Sequence, residues 1–91
     1  MVQIAELEDV KQRIRKIIAN VTNIDAGAIA DAASLTRDLD LDSLSLLEIG
    51  VDVDYEFQLG LPEERMRGID SVDDAVALVE ERLREKQAEV A

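Results

Sequence analysis

The chain has no cysteine and no histidine. Without cysteine there is no disulfide framework and no thiolate metal site. Without histidine the usual general base and the commonest metal ligand are both missing. Nucleophilic hydrolysis on a serine therefore lacks its ordinary activator. No apolar run approaches the length that spans a bilayer. The N-terminus lacks a signal-peptide pattern, so a cytoplasmic chain is expected. No repeat, low-complexity tract or interdomain linker interrupts the 91 residues, which predict one domain, 1–91, with a single core.

Positive charge is scarce, and one stretch lacks it altogether. The formal charge is −11, which argues against nucleic acid or an anionic membrane as a direct partner. Residues up to Arg37 carry five acids and five bases. From Asp38 to Glu64 there are nine acids and no base. Solubility requires no such segregation, so it points to docking by a basic partner, weakened by salt.

What is present is helical periodicity. Ile4, Leu7, Val10, Ile14, Ile17, Ile18 and Val21 recur in steps of three and four, predicting a helix over Ile4–Asn20. Its Lys11, Arg13, Arg15 and Lys16 read as a solvated face. The pattern then fades into a long loop to Asp42, where Ile24, Ile29, Leu35 and Leu39 should pin the chain to the core. A brief helical turn is expected at Asp25–Ile29. Connections of this length in small domains tend to be functional.

A second long helix is predicted from Ser43 to Gln58. At about 100° per residue, Leu46, Ile49, Val53 and Phe57 form its core stripe. Leu44, Leu47 and Val51 form a second apolar strip, and Ser45, Glu48, Asp52 and Glu56 lie between the two. A neighbouring helix could cover that strip; otherwise a partner or ligand must. Gly60 and Pro62 end this helix and open a short one, with Pro62 at its first position, that Gly68 stops. Ser71-Val72-Asp73-Asp74 reads as a capping box. It opens a last helix with Val72, Ala75, Val76, Val79 and Leu83 inward, ending near Lys86, beyond which residues 87–91 should fray. The expected fold is all-α: a small bundle of three longer helices and one short one, with a long loop after the first.

Ser43 follows Asp42 at a helix start. The plain reading is that one of the two caps the helix. Asp38, Asp40 and Asp42 resemble part of a calcium loop but lack its glycine and its final glutamate, so no dedicated metal site is expected. A third reading is modification of Ser43, because a phosphate ester at a helix N-terminus is stabilised by free N–H groups and the helix dipole. The three aspartates would then favour an arm projecting into solvent.

The Asp42-Ser43-Leu44 motif, the acidic helix behind it, Phe57, Leu61-Pro62-Glu63-Glu64 and Ser71-Val72 together resemble the acyl carrier proteins of fatty acid and polyketide synthesis. The resemblance covers about Ile4 to Arg84. It implies a non-catalytic carrier, with Ser43 bearing 4′-phosphopantetheine delivered from coenzyme A by a Mg²⁺-dependent phosphopantetheinyl transferase. The arm's thiol would hold acyl groups as thioesters, which supplies the sulfur this chain lacks. Asp42 would aid transferase recognition. Asp38, Asp40, Leu44, Leu47, Glu48, Val51, Asp52 and Glu56 would form the docking face for partners such as acyltransferases, ketosynthases or acyl ligases that carry basic patches. A monomer is expected. Seven arginines against three lysines favour a discrete bacterial carrier in a specialised pathway such as polyketide synthesis. Fatty acid synthesis, a peptidyl or aminoacyl carrier, and an unmodified acidic adaptor are the alternatives. Asp40 stands where family members usually have glycine.

Overall fold

The computed structural model describes residues 4–90, with side chains described over 7–89. Among these, four helices and one short turn of 3₁₀ helix follow in order. They are α1 (Ile4–Thr22), the 3₁₀ turn (Ala26–Ala28), α2 (Ser43–Phe57), α3 (Glu63–Met66) and α4 (Val72–Val90). The expected all-α bundle, with its long connection between α1 and α2, is what forms.

The apolar stripes explain the packing. Ile14 and Ile18 of α1, Ile49 and Val53 of α2, and Val72, Ala75, Val76 and Val79 of α4 are buried together. α1 lies against both α2 and α4, and α3 lies against α2. Each large side chain fully buried here contributes about 1.5–3 kcal/mol relative to exposure. The Ile4 side chain, expected on the same stripe, and Glu6 fall outside the described side chains.

The long loop is part of the core. Ile29 and Leu35 are buried, and Ile24, Leu39 and Leu41 pack half-buried against them. Polar ties add to this. Leu35 N–H donates to the Asp70 carbonyl at 2.7 Å and Asp73 N–H to the Asp31 carbonyl at 3.0 Å. The Asp70 carboxylate accepts from Ser34 Oγ at 2.7 Å and from Thr36 N–H and Oγ1, each at 3.0 Å. The Ser34 and Thr36 donors hold the Asp70 carboxyl below its usual range. The loop is thereby sewn to the start of α4.

Four expectations need correction. The basic residues of α1 are not a simply solvated face. Lys11 and Arg15 both pair with Asp31 of the loop, and Arg15 Nε also donates to the Ile29 carbonyl at 3.3 Å. Arg13 reaches Asp9 and Glu56 and lies over the Phe57 ring, 6.0 Å from its centroid. Pro62 is the N-cap of α3, with φ −70° and ψ 156°, rather than its first helical residue. Leu83 is exposed; at that level α4 meets its neighbours through Arg82 and Glu85 instead. Finally, α4 runs on to Val90 instead of ending near Lys86. Arg82 Nε donates to the Leu59 carbonyl at 2.7 Å and Lys86 Nζ to the Gln58 carbonyl at 2.5 Å. These bonds tie the second half of α4 to the turn after α2. Ala91 lies outside the described residues.

Ser71 does cap α4, its Oγ accepting from Asp74 N–H at 3.0 Å. The return bond goes one residue earlier than a standard box would place it, from Asp70 N–H to the Asp74 carboxylate.

Candidate functional site

The end of the loop sets the geometry. Asp40 has φ 56°, the left-handed region that glycine enters most easily. The chain turns there and reaches Asp42, which is extended and caps α2. The Asp42 carboxylate accepts from Ser45 N–H at 2.8 Å. That bond, followed by the Ser45 hydroxyl, keeps the Asp42 carboxyl below its usual range. The cap is therefore Asp42, and Ser43 is left over. It is the first residue of a 15-residue helix, it is exposed, and among the described residues its hydroxyl is assigned no hydrogen bond.

A groove of about 320 Å³ opens beside that hydroxyl. Ser43, Leu44, Leu46, Leu47 and Arg67 line it, so α2 supplies an apolar wall and the end of α3 supplies one cation. Behind it α2 and α3 touch closely. A Cβ built on Gly50 would stand 2.7 Å from Met66 Cβ.

The second apolar strip is uncovered over most of its length. Leu44 is 64% exposed and Val51 47%, with Leu47 half-buried between them. No helix covers it. Glu48 and Asp52 are exposed beside the strip, as are Asp38 and Asp40 on the loop. Asp38 is engaged locally, accepting from Ser34 N–H at 2.8 Å. Glu56 stands at the α1 side, 3.5 Å from Arg13, so its charge is partly answered within the molecule. Tyr55, 84% exposed on α2, joins this surface and escaped the sequence reading. At about 20° on the helical wheel, four residues after Val51, it continues the strip of Leu44, Leu47 and Val51. Arg67 escaped too, because nothing in sequence links it to a serine 24 positions earlier.

Among the described residues no cluster of carboxylates converges in a way that would hold a metal ion. The arrangement offers a free hydroxyl at a helix start, an apolar groove and an acidic flank.

The family described as phosphopantetheine attachment site matches residues 12–79. The chain belongs to the acyl carrier protein family. It is 36% identical over 84 residues to the meromycolate extension acyl carrier protein of Mycobacterium tuberculosis, covering 92% of this chain and 72% of that one. It is 34% identical over 77 residues to an acyl carrier protein of Phenylobacterium zucineum, covering 85% and 98%. The solved acyl carrier protein of Enterococcus faecalis superposes with a TM-score of 0.68 at 30% identity, covering 84% of this chain and 96% of that one. This acyl carrier protein is thus a non-catalytic carrier whose cofactor is covalent 4′-phosphopantetheine. It works with biosynthetic enzymes as the family does. The residues present fit that group: the hydroxyl is accessible, and the groove can receive the inner part of an arm. Among the described residues no helix is long and apolar enough to cross a membrane.

Proposed function

We propose that Ser43 is the attachment point of 4′-phosphopantetheine, and that a phosphopantetheinyl transferase transfers the group there from coenzyme A. The observation that carries this is the division of labour at the start of α2. Asp42 takes the capping role, which leaves the Ser43 hydroxyl exposed and uncommitted at the groove mouth. When bound, the cofactor supplies a thiol that holds acyl groups as thioesters. The protein's own residues hold that arm at the N-terminus of a rigid helix and present the Leu44, Leu47 and Val51 strip with Glu48 and Asp52 beside it. Partner enzymes with basic and apolar patches, of the acyltransferase, ketosynthase or acyl-ligase kind, dock on that face. Asp38, Asp40 and Asp42 add negative charge at its serine end.

The chain acts as one carrier domain over 1–91, as a monomer in the cytoplasm. Its cargo is an acyl chain under construction. The relatives named meromycolate extension acyl carrier proteins support a fatty-acid-type or other specialised pathway, of which polyketide synthesis is one.

Incubation with coenzyme A and a broad-specificity transferase tests the attachment. Intact-mass measurement should show a gain of one phosphopantetheine group, and Ser43→Ala should abolish it with the helical circular dichroism unchanged. A folded wild-type chain that gains nothing, or a Ser43→Ala chain that still gains the group, overturns the assignment.

A further inference from the structure

Among the described residues Arg67 is the one cation lining the Ser43 groove. The stretch from Asp38 to Glu64 has no base at all, so the surroundings of Ser43 are otherwise acidic or apolar. The two arginines flanking Met66 are used differently. Arg65 is turned to α4, bonded at 2.9 Å to both Glu81 and Glu85, and those partners push its pKa up. Arg67 is turned to the groove and is 65% exposed. Its ion pair is with Glu63 one turn back on α3, at 2.6 Å, and that carboxylate is 59% exposed. Exposed pairs of this kind are weak and exchange readily.

A phosphodiester on Ser43 would lie one bond from Oγ, at the mouth of the groove. Asp38, Asp40 and Asp42 repel it from the loop side, and Arg67 attracts it from the α3 side. A guanidinium presents a planar fork that matches two phosphate oxygens, so it can take the phosphate in exchange for the Glu63 carboxylate. A carboxylate on the acyl cargo is a poorer candidate, since it sits at the far end of a long arm and would have to fold back. We infer that Arg67 is a positioning residue that draws the Ser43-linked phosphodiester toward α3 and so lays the inner arm across Leu46 and Leu47. This rests on Ser43 being the attachment point. The charge balance of the groove, rather than the groove alone, then sets which way the arm leaves the protein.

The test compares apo and holo protein by intact mass and by NMR. Mass first establishes that the wild type, Arg67→Gln and Glu63→Gln chains each carry the group. In the wild type, conversion to the holo form should move the Arg67 Nε–H signal, and salt near 1 M, where the screening length is about 3 Å, should reverse the movement. Inorganic phosphate added to apo protein should not reproduce it, which separates the tethered phosphate from a free one. Arg67→Gln should loosen the arm, read from its relaxation, with the docked-to-free ratio falling roughly two- to fivefold. Glu63→Gln, which removes the competing carboxylate, should raise that ratio. A mass gain that leaves the Arg67 signal unmoved, or an arm equally mobile in the wild type and Arg67→Gln, overturns this inference and leaves the attachment at Ser43 standing. A wild-type chain without mass gain overturns both.

Discussion

Two residues, Asp40 in the loop before α2 and Asp70 just before α4, carry a cost or a condition that can be measured. Asp40 sits at φ 56°, where L-residues other than glycine and, less so, Asn or Asp are disfavoured. Its identity was the one departure from the family pattern, and its backbone shows why glycine is common there. Asp40→Gly should stabilise the fold by about 1 kcal/mol or less, seen as a raised urea midpoint with an unchanged slope. Asp70 supplies the condition. Its carboxyl is held low in the folded protein by Ser34 and Thr36, against about 3.9 when unfolded. A depressed folded pKa gives stability that is full above the unfolded value and is lost as pH falls through the folded one. The stability gap between wild type and Asp70→Asn should therefore be constant from neutral pH to about 5 and shrink below about 4. Urea titrations of both chains at a series of pH values measure it.

At the scale of elements, α2 and α3 meet backbone to backbone. Gly50 lies mid-helix, where alanine would ordinarily be better by about 1 kcal/mol. A Cβ there would meet Met66 Cβ at 2.7 Å and the Met66 carbonyl oxygen at 3.1 Å. Neither neighbour is the free end of a flexible chain, so α3 must retreat. Gly50→Ala should destabilise by about 1–3 kcal/mol despite its better propensity. Thermal unfolding reads that, and a changed Met66 methyl signal would show the shift of α3. The sequence made the long helices legible through their periodicity, and it marked Ile29 and Leu35 as loop anchors because apolar residues in a polar stretch need a place to go. It could not show that Gly50 was a contact surface, since a helical glycine looks the same whether it faces solvent or another backbone. Leu83 misled for the opposite reason. It continues the stripe of Val72, Ala75, Val76 and Val79, but at that level α4 is held by polar contacts, Arg82 to the Leu59 carbonyl and Glu85 to Arg65, rather than by Leu83. Ser43 was legible as a helix start. That Asp42 and not Ser43 would take the cap depended on backbone angles, and the groove with Arg67 depended on where α3 docks.

At the scale of the molecule, the uneven charge is what the proposed docking rests on. Nine acids without a base lie between Asp38 and Glu64, and the structure divides them. Asp54 is turned inward to Leu61 N–H at 2.9 Å, and Glu56 is shared with Arg13. Glu48 and Asp52 remain exposed beside Leu44 and Val51. On the proposed docking, a basic partner approaching α2 would meet those two carboxylates first, and the apolar strip would then set its pose. Steering of this kind raises association rates by about 10- to 1000-fold and is lost as salt rises. With a transferase that carries a basic docking patch, Glu48→Lys or Asp52→Lys should lower kcat/KM for loading Ser43 by about tenfold at low salt, where the screening length is about 30 Å near 0.01 M. The difference from wild type should nearly vanish near 1 M, where that length is about 3 Å. Leu44→Ala should behave differently, since the loss of an exposed apolar contact is not screened and should persist at both salts. Both kinds of variant should keep their unfolding midpoints, because these side chains are not part of the buried core. Equal loading rates for the lysine variants and wild type at low salt would move the docking surface off this face of α2.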